Sequence, residues 1–224
     1  MKPEIPYRDL RFPPATAPRP YTIIDMVATI DGKIVSGDRG EDVGDLGSNI
    51  DHAVMRHLED LVDGVLIGAG TLRATPKGWD PKTSYRVVLS NSGRVDTSHT
   101  FFAGPGAYVA VPAAADFQSA NGVEPLVAGA SKVNPAEISR KLREMGCQRL
   151  LILGGSTTNG SFLQADLVDE IFLTVAPKVK LGVGVPTVAE GVAFGRDELP
   201  QFELLEHHAV GDEIFLRYRR GGKR

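Results

Sequence analysis

Leu150-Leu151-Ile152-Leu153-Gly154-Gly155-Ser156-Thr157-Thr158-Asn159-Gly160-Ser161-Phe162-Leu163 reads as a buried strand that runs into a glycine turn and then a helix start. Glycines let the backbone pass close to a ligand. The free amides at a helix N-terminus, at the positive end of the helix dipole, favour an anion there. Ser156, Thr157 and Thr158 add hydroxyl donors. The spacing is neither G-x-G-x-x-G nor G-x-x-x-x-G-K-[ST], so no Rossmann fingerprint or P-loop is claimed. Taken alone, the motif reads equally as a tight strand-to-helix turn that binds nothing.

Outward from this stretch, short apolar runs mark further strands at Tyr21–Val27, Val65–Ile67, Val87–Leu89, Tyr108–Val111, Ile171–Val175, Phe202–His207 and Glu213–Tyr218. Ser48 predicts a helix N-cap over Asn49–Leu61, with Ile50, Val54, Leu58 and Leu61 as the apolar stripe and Asp51 as a capping-box-like acid. A second helix is signalled by Asn134 as N-cap, Pro135 at the first position, Ile138, Leu142 and Met145 on one face, and Gly146 as stop. A third starts near Ser156–Asn159 and runs to about Ala165. Strands alternating with helices imply parallel crossovers, and the last two runs read as an antiparallel hairpin at one edge. The expected class is α/β with a mixed, mostly parallel sheet. Residues 1–19, rich in proline, read as an arm lying over the body, and residues 20–220 as a single domain.

At 224 residues, with 42% hydrophobic and 24% charged residues and a formal charge of -3, the chain has the makeup of a soluble globular protein. It lacks the excess positive charge that nucleic-acid or anionic-membrane binding needs, which favours a small-molecule partner. Cys147 is the single cysteine, so no internal disulfide or cysteine cluster forms, and a reducing cytoplasm is the expected compartment. No apolar run suggests a signal or a membrane span, and the five histidines show no metal-ligand spacing, so no metal site is expected.

Two other strand exits end in small residues. Ala28-Thr29-Ile30-Asp31-Gly32-Lys33-Ile34 follows the first strand with an Asp-Gly turn, in which Asp31 and Lys33 fix the turn. Val65-Leu66-Ile67-Gly68-Ala69-Gly70-Thr71 lets a ligand approach backbone at a strand's carboxyl end. With Gly154-Gly155-Ser156 they suggest one shared cleft and a plausible dinucleotide site.

In this order and separation, the three segments resemble the C-terminal reductase domain of the bifunctional riboflavin-biosynthesis deaminase–reductase and its free-standing pyrimidine reductase relatives. The resemblance runs from about Arg19 to Arg219. It also rests on Arg19-Pro20-Tyr21, Asp63-Gly64, Arg86-Val87-Val88-Leu89, Leu167-Val168-Asp169-Glu170 and Ala176-Pro177-Lys178. It implies a dihydrofolate reductase-like three-layer sandwich, NADPH as hydride donor, a homodimer, and the activity of a 5-amino-6-(5-phosphoribosylamino)uracil reductase. The deaminase half and its H-x-E zinc motif have no counterpart in this sequence. By motif position, Ala28 and Thr71 would line the nicotinamide-ribose side, with Gly68 and Gly70 beside them. Gly154, Gly155, Ser156, Thr157, Thr158 and Asn159 would hold the pyrophosphate, and Ser90 and Asn91 the adenosine half. Arg86, Arg94 and Lys132 are weakly specific candidates for a 2′-phosphate, each read first as a solvated surface charge.

The cofactor half of the family pattern is kept and the substrate half is changed. Asp25 stands where the riboflavin enzymes have lysine or asparagine, Leu153 where they have an acid, Glu59 where they have an arginine for the substrate phosphate, and Thr75 where they have another acid. A carboxylate in place of that arginine repels a phosphate. Asp25 is the catalytic candidate, either a proton donor and partner to an amino-bearing ring or a strand-end acid paired locally. Trp79 and Leu153 join it on the substrate side, with ordinary packing an equal reading of Trp79. Two alternatives stand beside the riboflavin-type reductase: a pterin reductase related to dihydrofolate reductase, and a non-catalytic NADPH-binding dimer.

Overall fold

The computed structural model describes residues 5–15, 18–75 and 78–222. Residues 1–4, 16 and 17 of the arm and Pro76 and Lys77 of the Trp79 loop lie outside the described residues.

Nine strands form one sheet: β1 Tyr21–Thr29, β2 Gly64–Gly68, β3 Tyr85–Leu89, β4 Ala107–Val111, β5 Glu124–Val127, β6 Arg149–Ile152, β7 Glu170–Ala176, β8 Phe202–Val210 and β9 Glu213–Arg220. Their order across the sheet is β5-β4-β3-β2-β6-β1-β7-β9-β8. Pairings from β5 through to β7 are parallel, and β9 joins β7 and β8 antiparallel. This is the expected mixed, mostly parallel sheet with an antiparallel C-terminal hairpin at one edge, a dihydrofolate reductase-like three-layer sandwich.

Both faces of the central strands are covered, which is why their sequences run continuously apolar instead of alternating. Over one face lie helix α1 (Asn49–Asp60), helix α2 (Ala69–Ala74) and a 3-10 turn at Thr100–Phe102, burying Val54, Leu58, Leu72, Phe101 and Phe102 against Ile23, Val65 and Ile67. Tyr7, Leu10 and Phe12 of the N-terminal segment belong to the same apolar cluster. Over the other face, helices α3 (Pro135–Glu144) and α4 (Ser156–Gln164) bury Ile138, Leu142 and Phe162 against Ile24, Leu66 and Ile152.

The helix signals are realised with one change. Asn134 caps α3 through Ala136 N and Glu137 N. Ser48 caps α1 as expected, but Asp51 does not close a capping box. Glu213 of β9 takes that place, accepting from Ser48 N at 2.9 Å and Ser48 Oγ at 2.5 Å. Asp51 is thereby left free to lie over β7, within reach of the Thr174 hydroxyl. Two elements had no clear signal. β5 carries Pro125, tolerated because the strand sits at the sheet edge, and α2 is a six-residue helix containing Gly70. β1 also runs two residues past Val27, so Ala28 and Thr29 are strand residues and Asp25 is mid-strand, not at the strand end.

Across the hairpin, Glu170 is fully buried and accepts from Arg217 Nε at 2.8 Å, Arg219 Nη2 at 2.9 Å and Tyr21 Oη at 2.7 Å. Removing one partner of a buried ion pair strands the other charge. Glu170→Ala is expected to cost about 3 kcal/mol in urea unfolding. Glu144→Ala, which breaks the exposed Arg140 pair on α3, should stay within about 0.5 kcal/mol.

Candidate active site

Pairing of β1 with β6 ends at Ile24 and Ile152, whereas β1 continues beside β7 to Thr29 and Ala176. Beyond Ile152 the chain leaves the sheet through Leu153, Gly154 and Gly155, so a cleft opens between β1 and the start of α4. It lies at the carboxyl end of the parallel strands, where ligands collect in open α/β sheets.

The glycine and threonine exits meet on the α4 side of this cleft. Gly68 N donates to Gly154 O at 2.8 Å. A Cβ on Gly68 would lie 2.6 Å from Thr158 Oγ1, and one on Gly155 would lie 3.3 Å from Thr71 Oγ1. Gly154 adopts φ +80, open to glycine, and its α-carbon faces Met26, whose sulfur a Cβ would approach to 3.0 Å. The Gly154–Gly155 peptide is cis. No side chain caps α4, and the amides of Ser156, Thr157 and Thr158 donate to nothing among the described residues. Thr157 is exposed at this end, whereas Ser156 Oγ donates to Glu190 Oε2 at 2.8 Å. Burial pushes the Glu190 carboxyl up, but the hydrogen bonds from Ser156 and Arg39 outweigh it and hold it below its ordinary value. Asn159 is fully buried and directs its amide to Val188 O at 2.7 Å, clasping the 186–191 segment. Gly70 is exposed at the start of α2.

Further along the strand ends, Ser90 is buried just after β3 and Asn91 Oδ1 accepts from Val133 N at 2.8 Å, joining the β3 exit to the loop that carries Lys132. Ala28 is buried with Ile34 and Val35, on the same face of β1 as Met26. Asp31 accepts from Thr29 Oγ1, Lys180 N and Leu181 N, and the Thr29 hydroxyl and these amides hold its carboxyl down at about 2. That accords with a turn-fixing role. Arg86 is corrected. It sits at the amino end of β3, is 5% exposed, and donates to the Ala103 and Pro105 carbonyls, so it braces a loop at the wrong end of the sheet for a 2′-phosphate. Arg94 follows the β3 exit at the correct end.

The α1 side of the cleft is acidic. Asp25 is 9% exposed and has no hydrogen-bond partner among the described residues. Burial, then the nearby charges of Asp51 and Glu59, push its carboxyl well above the ordinary range. Glu59 accepts from Trp79 Nε1 at 3.0 Å, and burial raises it to about 7 against that hydrogen bond and the Arg56 charge. Asp51 is raised by burial as well. Trp79 also packs 5.2 Å from Phe101, so it serves the core and Glu59 together. Leu153 is half-buried and packs in the cluster on this same side. Thr75, at the end of α2, donates its hydroxyl to Thr71 O and accepts from His99 on its own carbonyl. Such a set can hold a planar ring by hydrogen bonds and deliver a proton from Asp25.

Tyr7, Met26, Asp51 and Glu190 were not singled out as site residues from the sequence. Tyr7, Met26 and Glu190 come from segments without motif character, and Asp51, read from the sequence as a capping acid, reaches this region through the packing of α1 over β7. Cys147 is buried and its thiol is pushed up to about 12 by burial, which fits a structural role. Among the described residues no cluster of three or more His, Cys, Asp or Glu is arranged to hold a metal, and no helix is long and apolar enough to cross a membrane. A wide surface groove near Phe194, Leu199 and Arg220 lies at the amino end of β7, away from the cleft.

Residues 20–216 match the family described as the RibD C-terminal domain. The 2,5-diamino-6-ribosylamino-4(3H)-pyrimidinone 5′-phosphate reductase of Methanothermobacter thermautotrophicus is 26% identical over 223 residues, covering 89% of this chain and 98% of the relative. The crystal structure of a pyrimidine reductase-like protein from Corynebacterium diphtheriae superposes with a TM-score of 0.73 at 20% identity, covering 91% of this chain and 93% of that one. RibD of Acinetobacter baumannii gives 0.73 at 20% identity over 92% of this chain and 60% of its own. With a matching fold and a match over most of its length, the chain belongs to the RibD C-terminal domain family, the pyrimidine reductase domain with a dihydrofolate reductase-like fold.

Proposed function

We propose that this protein is an NADPH-dependent reductase that transfers hydride to a small nitrogen heterocycle, most like the 5-amino-6-(5-phosphoribosylamino)uracil reductases of riboflavin biosynthesis. One observation carries the reading: an uncapped helix N-terminus, flanked by glycine and threonine exits, follows β6 where it parts from β1, the strand that carries a buried acid without a hydrogen-bond partner. The cradle fits a dinucleotide diphosphate. Its amides are free, and the contacts around Gly68 and Gly155 leave no room for larger side chains. Ser156, Thr157 and Thr158 would hold the diphosphate, with Thr71 on the nicotinamide side and Ser90 and Asn91 toward the adenosine. Bound NADPH supplies a hydride to an acceptor carbon. Asp25, kept protonated by burial, gives the matching proton to the acceptor nitrogen, so that a C=N bond becomes CH–NH. A homodimer belongs to the same reading, supported by β8, an outer strand that exposes Leu204 and Leu205.

A second acceptor is favoured by a specific feature. Asp25, Asp51 and Glu59 bring three acids to the pocket, and the first has no cation or donor facing it. With no cation beside Asp25 to neutralise a phosphate, the site suits an uncharged, amino-bearing ring such as a dihydropterin. Loss of NADPH absorbance at 340 nm with each acceptor distinguishes the two, and turnover of neither would remove both.

Thr157→Glu places a carboxylate on the free end of α4, where the dipole stabilises it while it repels a diphosphate. We expect the Kd for NADPH to rise at least about tenfold with no fall in Tm. An unchanged Kd would mean that the diphosphate lies elsewhere.

Because the protonated form of Asp25 is the active one, kcat should fall as pH rises through its raised pKa. Asp25→Asn should lose about a hundredfold or more in kcat, show no such fall, and keep its NADPH affinity.

The raised acids also leave a mark on stability. An acid whose pKa is higher folded than unfolded contributes stability that is complete below its unfolded value and lost as pH rises through the folded one. For Glu59 the window runs from 4.5 to about 7. Glu59→Gln should flatten the decline of urea-unfolding free energy across that window, and an equal slope in both proteins would contradict the burial of this carboxyl.

A further inference from the structure

The N-terminal segment brings a second unmatched polar group close to Asp25. Tyr7 is 5% exposed, and its ring stands edge-on to Phe172 at 5.0 Å and to His208 at 5.1 Å. Phe172 is the register partner of Asp25 on the adjacent strand, so the two side chains rise from the same face of the sheet. Tyr7 Oη is buried and has no hydrogen-bond partner among the described residues. Its polar neighbours are committed elsewhere: Arg217 binds Glu170 and Glu206, and Glu206 also accepts from His208. The backbone of Tyr7 is held at φ 65, with its carbonyl accepting from Leu10 N at 2.9 Å and His57 Nε2 at 3.1 Å.

Ring packing alone would be served by phenylalanine. A buried hydroxyl without a partner costs about 1–3 kcal/mol, and an unpaired buried acid at least as much. The two groups lie over the same face of the sheet, within electrostatic reach of each other, and each lacks a partner. The carboxyl group matches N–H donors, and the phenol can donate to an adjacent carbonyl or ring nitrogen. A planar heterocycle with amino and carbonyl groups side by side offers both.

We propose that Tyr7 is a substrate-binding residue which, with Asp25, holds the amino- and carbonyl-bearing edge of the acceptor ring, making the segment around residues 5–13 part of the acceptor site. This rests on the reductase reading above and names the acceptor chemistry of the same cleft. The segment lies outside the residues 20–216 that match the family model.

The test is calorimetric titration of 7,8-dihydropterin into the NADPH-saturated full-length protein, its Tyr7→Phe variant and its Asp25→Asn variant. Tyr7→Phe is expected to weaken pterin binding about tenfold, with the Kd for NADPH unchanged and Tm equal or raised, since the lost hydroxyl had no partner. Asp25→Asn should weaken binding at least as much. Pterin affinity within twofold of wild type for Tyr7→Phe, or a Tm lowered by several degrees, would overturn the assignment by showing that the hydroxyl serves nothing or serves the fold. A wild-type protein that binds NADPH but not the pterin overturns the acceptor chemistry alone. One that binds no NADPH overturns the reductase reading together with it.

Discussion

The early parting of β1 and β6 is the constraint on which the rest of the molecule turns. Parallel pairing stops at Ile24 and Ile152, but β7 keeps its hold on β1 for five more residues. One edge of β1 is thus released without the strand losing order. The released edge makes the cleft, and the chain that left it returns as the glycine turn and the exposed end of α4. Because α1 crosses that face, Asp25 is largely buried. With Asp51 and Glu59 nearby, protonation is the cheaper way to bury that carboxyl than ionisation in a low-dielectric site.

Much of this was legible in residue order. The strand-glycine-helix stretch at 150–163 and the helices opened by Ser48 and Asn134 carry strong local signals, and each folds as its chemistry dictates. Failures came where tertiary contacts decide. Pro125 hides β5 because only an edge position tolerates it, and Gly70 hides α2 because six residues are held by packing more than by propensity. Asp51 looked like a capping acid, yet Glu213, distant in sequence, does that work. Arg86 carried the right charge but sits at the wrong end of its strand, a distinction that depends on sheet direction.

On the cofactor side of the cleft, small residues are dictated by neighbours more than by backbone angle. Gly160 illustrates this: a Cβ there would lie 1.9 Å from Glu190 O, so the 186–191 segment can lie on α4 only over a glycine. Glu190 N in turn donates to Ser156 O, and Asn159 holds Val188. The helix end is therefore fixed in position by a loop that leaves its first amides uncovered. On the acid side, Trp79 plays the matching role by fixing Glu59 while filling the core beside Phe101.

The Glu213 contact with Ser48 has a consequence for how the fold is completed. The Ser48 cap of helix α1 receives its carboxylate partner, and Glu170 its two arginines, from β9, the last strand of the sheet in chain order. β9 is also interposed between β7 and β8. The sheet therefore cannot be completed from its amino end: β7 and β8 are joined only when β9 pairs between them. A chain cut before residue 213 leaves the start of the first helix as unfinished as the end of the sheet.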